Sequence, residues 1–278
     1  MLNEIFLNFI YLFHFLFLSS VFLKTFEKIF KVENSKGENI LKASLIFSIA
    51  IAVSPLFTGE SYGLFWDLAF IWIYSILAFI LLIIGHIIVD NIVFHRVNNL
   101  KEIKDGNLAL AITEGANFIA TGLIIGTIID NVFSIEINHL QFWLKLFSIY
   151  LAIQFLLALS LFIYEIYLKI FKKIDIKKLI YNGNISSAIH ISSNYIIVSF
   201  LLATAFVLGR NTFETILLTT GYFLISLIFI ELIRILVDFL LIRDIKLSEL
   251  IKNDNYFRIL YIETFVISII FIYHFLQS

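Results

Sequence analysis

Eight runs of apolar sequence, almost free of charge, set the limits on what this chain can become: 5–23, 43–59, 68–85, 115–129, 146–164, 191–209, 215–230 and 264–276. A helix needs about 20 mostly apolar residues to cross a hydrocarbon core, and each run reaches that length when extended by a turn or two. Strands of a membrane barrel would be shorter and would alternate with polar lumen positions, a pattern these runs lack. The expected fold is an all-α polytopic membrane protein of eight transmembrane helices. Composition agrees: 15% of residues are charged and 60% apolar, against roughly 25% and 45–50% in soluble domains. A water-soluble globule would lack the polar surface to cover so much Ile, Leu and Phe. That excludes a soluble enzyme domain, a nucleic-acid binder and a disordered chain. The absence of Cys excludes a disulfide framework, thiolate metal sites and cysteine catalysis. A net charge of −1 offers no general attraction to polyanions. The opening Met1-Leu2-Asn3-Glu4 has no basic region, so signal-peptide processing is not expected. The lone Pro55 falls near the end of the second run, where little harm is expected.

The loops set an orientation, because Lys and Arg collect on the cytoplasmic side. Eighteen of the twenty basic residues fall on one side of the eight runs. They come in four groups, from Lys24 to Lys42, from Arg96 to Lys104, from Lys169 to Lys178, and from Arg234 to Arg258. The opposite side has Lys145 and Arg210 beside Glu4, Glu60, Asp67, Asp130, Glu136 and Glu214. Both termini are therefore expected outside the cytoplasm. Trp66 and Trp143 stand at outer ends of their runs, where interfacial anchors belong.

The chain also resembles itself. Segments 35–52, 103–120, 180–197 and 251–268 align on Asn39, Asn107, Asn184 and Asn255, which are 68, 77 and 71 residues apart. The unit is a two-helix hairpin of about 70 residues, present four times. One membrane domain over 1–278 then divides into repeats at 1–64, 65–140, 141–213 and 214–278. An even number of helices per unit makes all four copies insert the same way round, unlike the inverted repeats of many transporters. The four asparagines read as helix N-caps, since Asn accepts from a free first-turn N–H. Gly106 and Gly183 suit a tight turn before them, and Ala109, Ala111, Ser186, Ser187 and Ala188 permit close helix packing.

The stretch Gly106-Asn107-Leu108-Ala109-Leu110-Ala111-Ile112, followed by Gly115 and Gly122, resembles the "GN-x-A-x-A-I" signature of the YjfL-like bacterial inner-membrane proteins. Gly183-Asn184-Ile185-Ser186-Ser187-Ala188-Ile189 is similar to a second copy. The outer copies depart from it: Glu38-Asn39 and Asp254-Asn255 lack the Gly, and Tyr256-Phe257-Arg258 lacks the small residues. The resemblance implies a double-length member of a family of unknown function. It therefore implies a fold and a location rather than an activity.

Ionisable groups inside the runs are the candidates for function, because a charge at mid-bilayer costs about 2.5–3.5 kcal/mol on the insertion scale. Glu114 lies seven residues past Asn107, with Asn117 on the same face. His190 and Asn194 occupy the matching stretch of the third repeat, and Glu263 that of the fourth. If the even-numbered helices line an interior, these residues form a polar layer. That layer is either a site in an ion or proton pathway, or interhelical bonding with Glu114 protonated or paired to His190. Glu231, about sixteen residues into its run, belongs with the same candidates. His86 with Asp90, and Arg234 with Asp238, repeat one spacing and read as intrahelical ion pairs. The sequence holds no hydrolase elbow, zincin helix, Walker loop or dinucleotide fingerprint, so neither an enzyme, a cofactor nor a metal is expected. The expected role is a structural or accessory component of an envelope or transport assembly. The alternative is a channel or transporter with the intramembrane Glu and His residues in its pathway. The expected partners are the lipid bilayer and, within it, further copies of the chain or proteins of a membrane complex; no nucleic acid is expected.

Overall fold

A computed structural model describes residues 2–58, 61–93, 99–132, 140–208, 212–241 and 246–277. The loop charges Glu60, Arg96, Glu136, Arg210 and Arg243 lie outside the described residues. Among the described residues every regular element is a helix. Long helices α1 (Leu2–Phe30) and α2 (Lys36–Val53) are followed by the single turn α3 (Pro55–Thr58). Then come α4 (Leu64–Val93), the short α5 (Asn99–Lys104) and α6 (Leu108–Val132). The same order recurs in α7 (Leu140–Phe171), α8 (Ile176–Tyr181) and α9 (Ile185–Leu208), and again in α10 (Thr212–Leu241), α11 (Leu247–Lys252) and α12 (Tyr256–Gln277).

Helices apolar on every side bury one face in protein and leave the other to lipid. α4 turns Tyr74, Ala78, Leu81 and Leu82 inward while Phe65, Trp72, Ile76 and Ile80 stay exposed. At 1.5 Å per residue its 30 residues span about 45 Å, longer than a hydrocarbon core. Among the described residues six helices are long and apolar enough to cross a membrane: Phe9–Phe30, Leu64–Val93, Leu108–Asn131, Leu146–Phe171, Ile185–Ala205 and Tyr256–Leu276. The protein is thus an all-helical, multi-pass membrane protein. α2 and α10 are not among the six. α2 has only 18 residues and carries Lys36, Glu38 and Lys42, while α10 carries Glu231, Arg234 and Asp238. The run 43–59, expected as one span, is broken: α2 ends at Val53 and Pro55 opens α3. Proline is preorganised for a first helical position and lacks the N–H that would continue the preceding helix.

α2, α6, α9 and α12 pack in a row through the centre, and α1, α4, α7 and α10 lie against that row. The α2–α6 contact depends on missing side chains. A Cβ on Gly115 would meet Ser44 Oγ at 2.5 Å, and one on Gly122 would meet the Ser48 carbonyl oxygen at 2.6 Å. This is the close backbone approach that small residues allow inside membranes.

Each of α5, α8 and α11 ends in the same turn. The N–H groups of Gly106, Gly183 and Asp254 donate to the carbonyls of Ile103, Ile180 and Ile251. Those of Asn107, Asn184 and Asn255 donate to Glu102, Leu179 and Leu250. This is the Schellman arrangement, which needs a left-handed residue after the helix. Gly106 (φ 101°), Gly183 (φ 82°) and Asp254 (φ 52°) supply it.

The asparagines that follow begin the inner helices. Asn107 Oδ1 accepts from Leu110 N–H at 3.0 Å, and Asn184 Oδ1 from Ser187 N–H at 2.7 Å. Their amide nitrogens face the other way and tie neighbouring units together. Asn107 Nδ2 donates to the Ile180 and Tyr181 carbonyls (both 3.1 Å), and Asn184 Nδ2 to that of Ile251 (3.0 Å). Asn255 directly precedes α12, and its carbonyl accepts from Ile259 N–H. Asn39 departs from the expectation and is not an N-cap, because it lies inside α2. Ser35 caps that helix in a reciprocal box with Glu38. The capping box answers both ends of the same pair of backbone donors, so the cap moves four residues upstream.

Candidate functional site

Apart from Glu38 in the capping box of α2, the buried charged and histidine side chains among the described residues gather in two clusters, one around Glu114 and one around Glu263. In the first, Glu114 on α6 is 1% exposed. Its Oε1 accepts from Asn99 Nδ2 at 2.7 Å, and its Oε2 stands 3.0 Å from His86 Nδ1 on α4. The second distance is close enough for an ionic contact, although it is not aligned as a hydrogen bond. The Asn99 amide also donates to Asp90, and Tyr181 OH on α8 donates to Asn99 Oδ1 at 3.0 Å. The His86 ring stacks on Phe118, with ring centres 5.1 Å apart.

In the second cluster Glu263 on α12 takes the corresponding place. Its Oε1 lies 2.5 Å from His190 Nδ1 on α9, and its Oε2 accepts from Arg234 at 2.9 Å and from Ser193 Oγ. Arg234 on α10 is 1% exposed and also donates to Tyr164 OH at 2.6 Å. The Tyr164 hydroxyl is the hub. It lies 2.8 Å from His190 Nε2 and 2.8 Å from Glu231 Oε1, while Tyr167 OH donates to Glu231 Oε2 at 3.1 Å. A buried ion pair is tolerable only when its remaining valences are met, and here α7 and α9 meet all of them but Arg234 Nε, which has no hydrogen-bond partner among the described residues.

These contacts correct two expectations. Glu114 does not pair with His190; His86 is its cation, and His190 belongs to Glu263. Nor do His86–Asp90 and Arg234–Asp238 act as intrahelical pairs. His86 and Arg234 turn instead to the carboxylate of the neighbouring inner helix, Arg234 lying 2.9 Å from Glu263 and also 3.6 Å from Glu231 on its own helix, while Asp238 Oδ1 has no hydrogen-bond partner among the described residues. In a low-dielectric interior the buried carboxylate is the stronger attraction, because the Asp one turn away sits nearer to water. The polar layer expected from Glu114, Asn117, His190, Asn194, Glu231 and Glu263 is therefore two sites. Asn117 and Asn194, on the packed pair α6 and α9, are 1% and 2% exposed and their amides find no partner among the described residues.

A cavity of about 190 Å³ leads to the second cluster from the lysine-rich end. Lys172 and Lys246 line its exposed part, Asp238 its wall, and Tyr164, His190 and Glu231 its inner end. Beyond Tyr164 lies a space of about 10 Å³ bounded by Ser160, Asn194 and Ser226, roughly the room one water needs. Sequence reasoning passed over Tyr164, Tyr167, Ser193 and Asn99. The available signal was two tyrosines three residues apart in an aliphatic run, and a serine three residues after His190. Outside the spans, Asp175 caps α8 by accepting from Lys178 N–H at 3.2 Å. Burial alone would raise its carboxyl, but the Lys178 amide and the Lys169 and Lys178 ammonium groups hold it below the usual Asp range.

The family described as Domain of Unknown Function (DUF350) matches the sequence twice, over residues 2–129 and 137–272. The first match takes in His86, Asp90, Asn99 and Glu114, and the second takes in the Glu263 cluster together with Tyr181, which reaches Asn99 from the other half. A UPF0719 transmembrane protein from Aquifex aeolicus (strain VF5) is 26% identical over 191 residues. That alignment covers 66% of this chain and 66% of the relative, just under two thirds of each. No solved structure matches.

Proposed function

The chain belongs to the DUF350 family, in two successive copies, and from that premise we propose a membrane-embedded structural or accessory component rather than a conduit. The observation that carries this reading is the engagement of the deepest carboxylates. Glu114 and Glu263 are each 1% exposed; Glu263 is hydrogen-bonded through both oxygens and Glu114 through Oε1, with its Oε2 3.0 Å from His86, all within the same half. A transported ion would have to displace those contacts, and breaking one partner from a buried pair costs about 3–5 kcal/mol. No enzymatic role is part of the reading.

We extend it to eight spans in four parallel hairpins, counting α2 and α10 as crossing helices. The common Schellman turn and Asn start of α6, α9 and α12 support that extension. The basic loops support a location in the bacterial inner membrane with both termini outside the cytoplasm, and the "GN-x-A-x-A-I" stretch at 106–112 supports a YjfL-like branch. Partners within the membrane, including further copies of the chain, fit the exposed aromatic and aliphatic faces of α1 and α10.

The test is flux. Liposomes holding the purified chain are expected to leak protons and alkali cations no faster than empty ones. Flux that Glu114→Gln abolishes, with the variant still folded, overturns the reading in favour of a channel or transporter. The cavity reaching Glu231 from one end is the observation that favours that second class.

A further inference from the structure

The second cluster has a charge balance that the first-order contacts leave open. Arg234 brings one positive charge that it does not give up, while Glu231 and Glu263 bring two negative ones. His190, fully buried between them, is the only other group in the cluster able to take a proton near neutral pH. With both carboxylates ionised and the imidazole neutral, the group would hold an uncompensated negative charge inside the membrane, which is costly. One additional proton makes it neutral.

A hydrogen-bonded line joins the places where that proton can reside. Glu231 Oε1 to Tyr164 OH is 2.8 Å, Tyr164 OH to His190 Nε2 is 2.8 Å, and His190 Nδ1 to Glu263 Oε1 is 2.5 Å. The outer end of the line, Glu231, is not sealed. Its side chain keeps 16% exposure, and it lines the cavity of about 190 Å³ that runs to the lysine-rich end. That volume holds several waters.

We propose that this chamber is a proton-binding site, loaded and emptied from the lysine-rich face through the cavity, with Glu231 as the acceptor and Tyr164 linking it to His190. An O–H bond forms on Glu231, or an N–H bond on His190, with the proton taken from buffer acid by way of cavity water and returned along the same route. Nothing is oxidised or reduced. The charged groups facing the site come from every element around it. α7 contributes Tyr164 and Tyr167, Lys172 follows it directly, α9 contributes His190, and Lys246 stands at the start of α11. α10 adds Arg234 and Asp238 beside Glu231, and α12 adds Glu263. Lys172 and Lys246 exceed Asp238 by one positive charge, but both stand at the exposed end of the cavity, where water and salt screen them from the buried deficit.

Infrared difference spectroscopy on the full chain in liposomes tests this, by following the band of a protonated carboxyl group as pH is stepped. The wild type is expected to gain such a band on acidification, Glu231→Gln to lose it, and Tyr164→Phe to shift its midpoint. A wild type without the band, or a band that survives Glu231→Gln and disappears in Asp238→Asn, overturns the proposal. The route is tested separately, because the chain has no native cysteine. In Ser248→Cys, which lines the cavity, a bulky membrane-impermeant maleimide is expected to slow deuterium exchange at the band. Exchange unchanged by the label overturns the cavity as the route, even if Glu231→Gln fails to fold. Flux is the measure of the role proposed above and does not enter this result, so the two readings fail independently.

Discussion

The two halves solve one problem with different chemistry. Each places a carboxylate on its last inner helix, Glu114 or Glu263, and draws a cation to it from the preceding long helix, His86 or Arg234. In the first half the cation is an imidazole stacked on Phe118, and the set is closed by Asn99 and Tyr181. In the second the cation is a guanidinium, whose fork of donors satisfies Glu263, Ser193 and Tyr164 at once. That fork brings in Glu231 through Tyr164, and with it a carboxylate that faces a cavity. The comparison teaches that a duplicated scaffold can keep a buried pair for packing in one copy. In the other copy, changing one cation type opens the pair to exchange.

The sharpest way to break the comparison is to remove the cations in turn. Arg234→Ala leaves two buried carboxylates without their charge partner and is expected to destabilise by about 3–5 kcal/mol, read from denaturant unfolding in detergent. His86→Ala should cost less, because an imidazole can be neutral and leaves Asn99 still donating to Glu114. Equal losses would remove the distinction between the halves.

A second prediction concerns backbone approach. Gly122→Val forces atoms against the Ser48 carbonyl, where even a Cβ would stand at 2.6 Å, and about 1–3 kcal/mol of overpacking strain is expected in the same unfolding measurement. The matched substitution Gly221→Val in α10, where a Cβ meets nothing within 4 Å, should change stability little.

Third, Asn107→Ala removes a cap and a link to α8 together, for a loss of about 1–2 kcal/mol. Asn255→Ala is expected to lose less, since its side chain makes no link to a neighbouring unit among the described residues, unlike those of Asn107 and Asn184. Hydrogen exchange at the first turns of α6 and α12 would show the difference locally.

The smallest effect is electrostatic. Asp175→Asn keeps a capping oxygen but loses the charge beside Lys169 and Lys178, and solvent screening at this half-exposed site holds the loss well under ~1 kcal/mol. Because the folded carboxyl titrates below its unfolded value of about 3.9, its contribution is complete above that pH and fades as pH falls through the folded value. A pH series of melting temperatures on the wild type and Asp175→Asn should converge at the acid end.

Much of the fold was legible in the sequence because the relevant terms are local. Whether a segment prefers lipid is a sum over its own side chains, and whether Asn107 or Asn184 starts a helix depends on the few N–H groups after it. Local reasoning failed where two local devices competed, as at Asn39, where the Ser35–Glu38 box captured the helix start. It also read 43–59 as continuous, since hydropathy does not register the missing N–H of Pro55.

The candidate site was half legible. The residue types that a membrane makes expensive stand out along the chain, so Glu114, His190, Glu231, Arg234 and Glu263 could be named. Their partners could not. His190 and Glu263 are 73 residues apart and Arg234 and Glu263 are 29 apart. For Glu114 and Glu263 the nearest cation in sequence was not the one chosen, whereas Glu231 keeps Arg234, three residues on, at 3.6 Å.

By itself, then, the sequence determined that this is a helical, multi-pass membrane chain built from repeated segments, because burial in lipid and helix capping are decided within a few turns. Only the tertiary structure decided which charges meet, that they form two clusters rather than one layer, and that one cluster reaches a cavity. Pairing in a low-dielectric interior is a contest among every donor that packing brings within reach, and that contest is settled by helix neighbours, not by position along the chain.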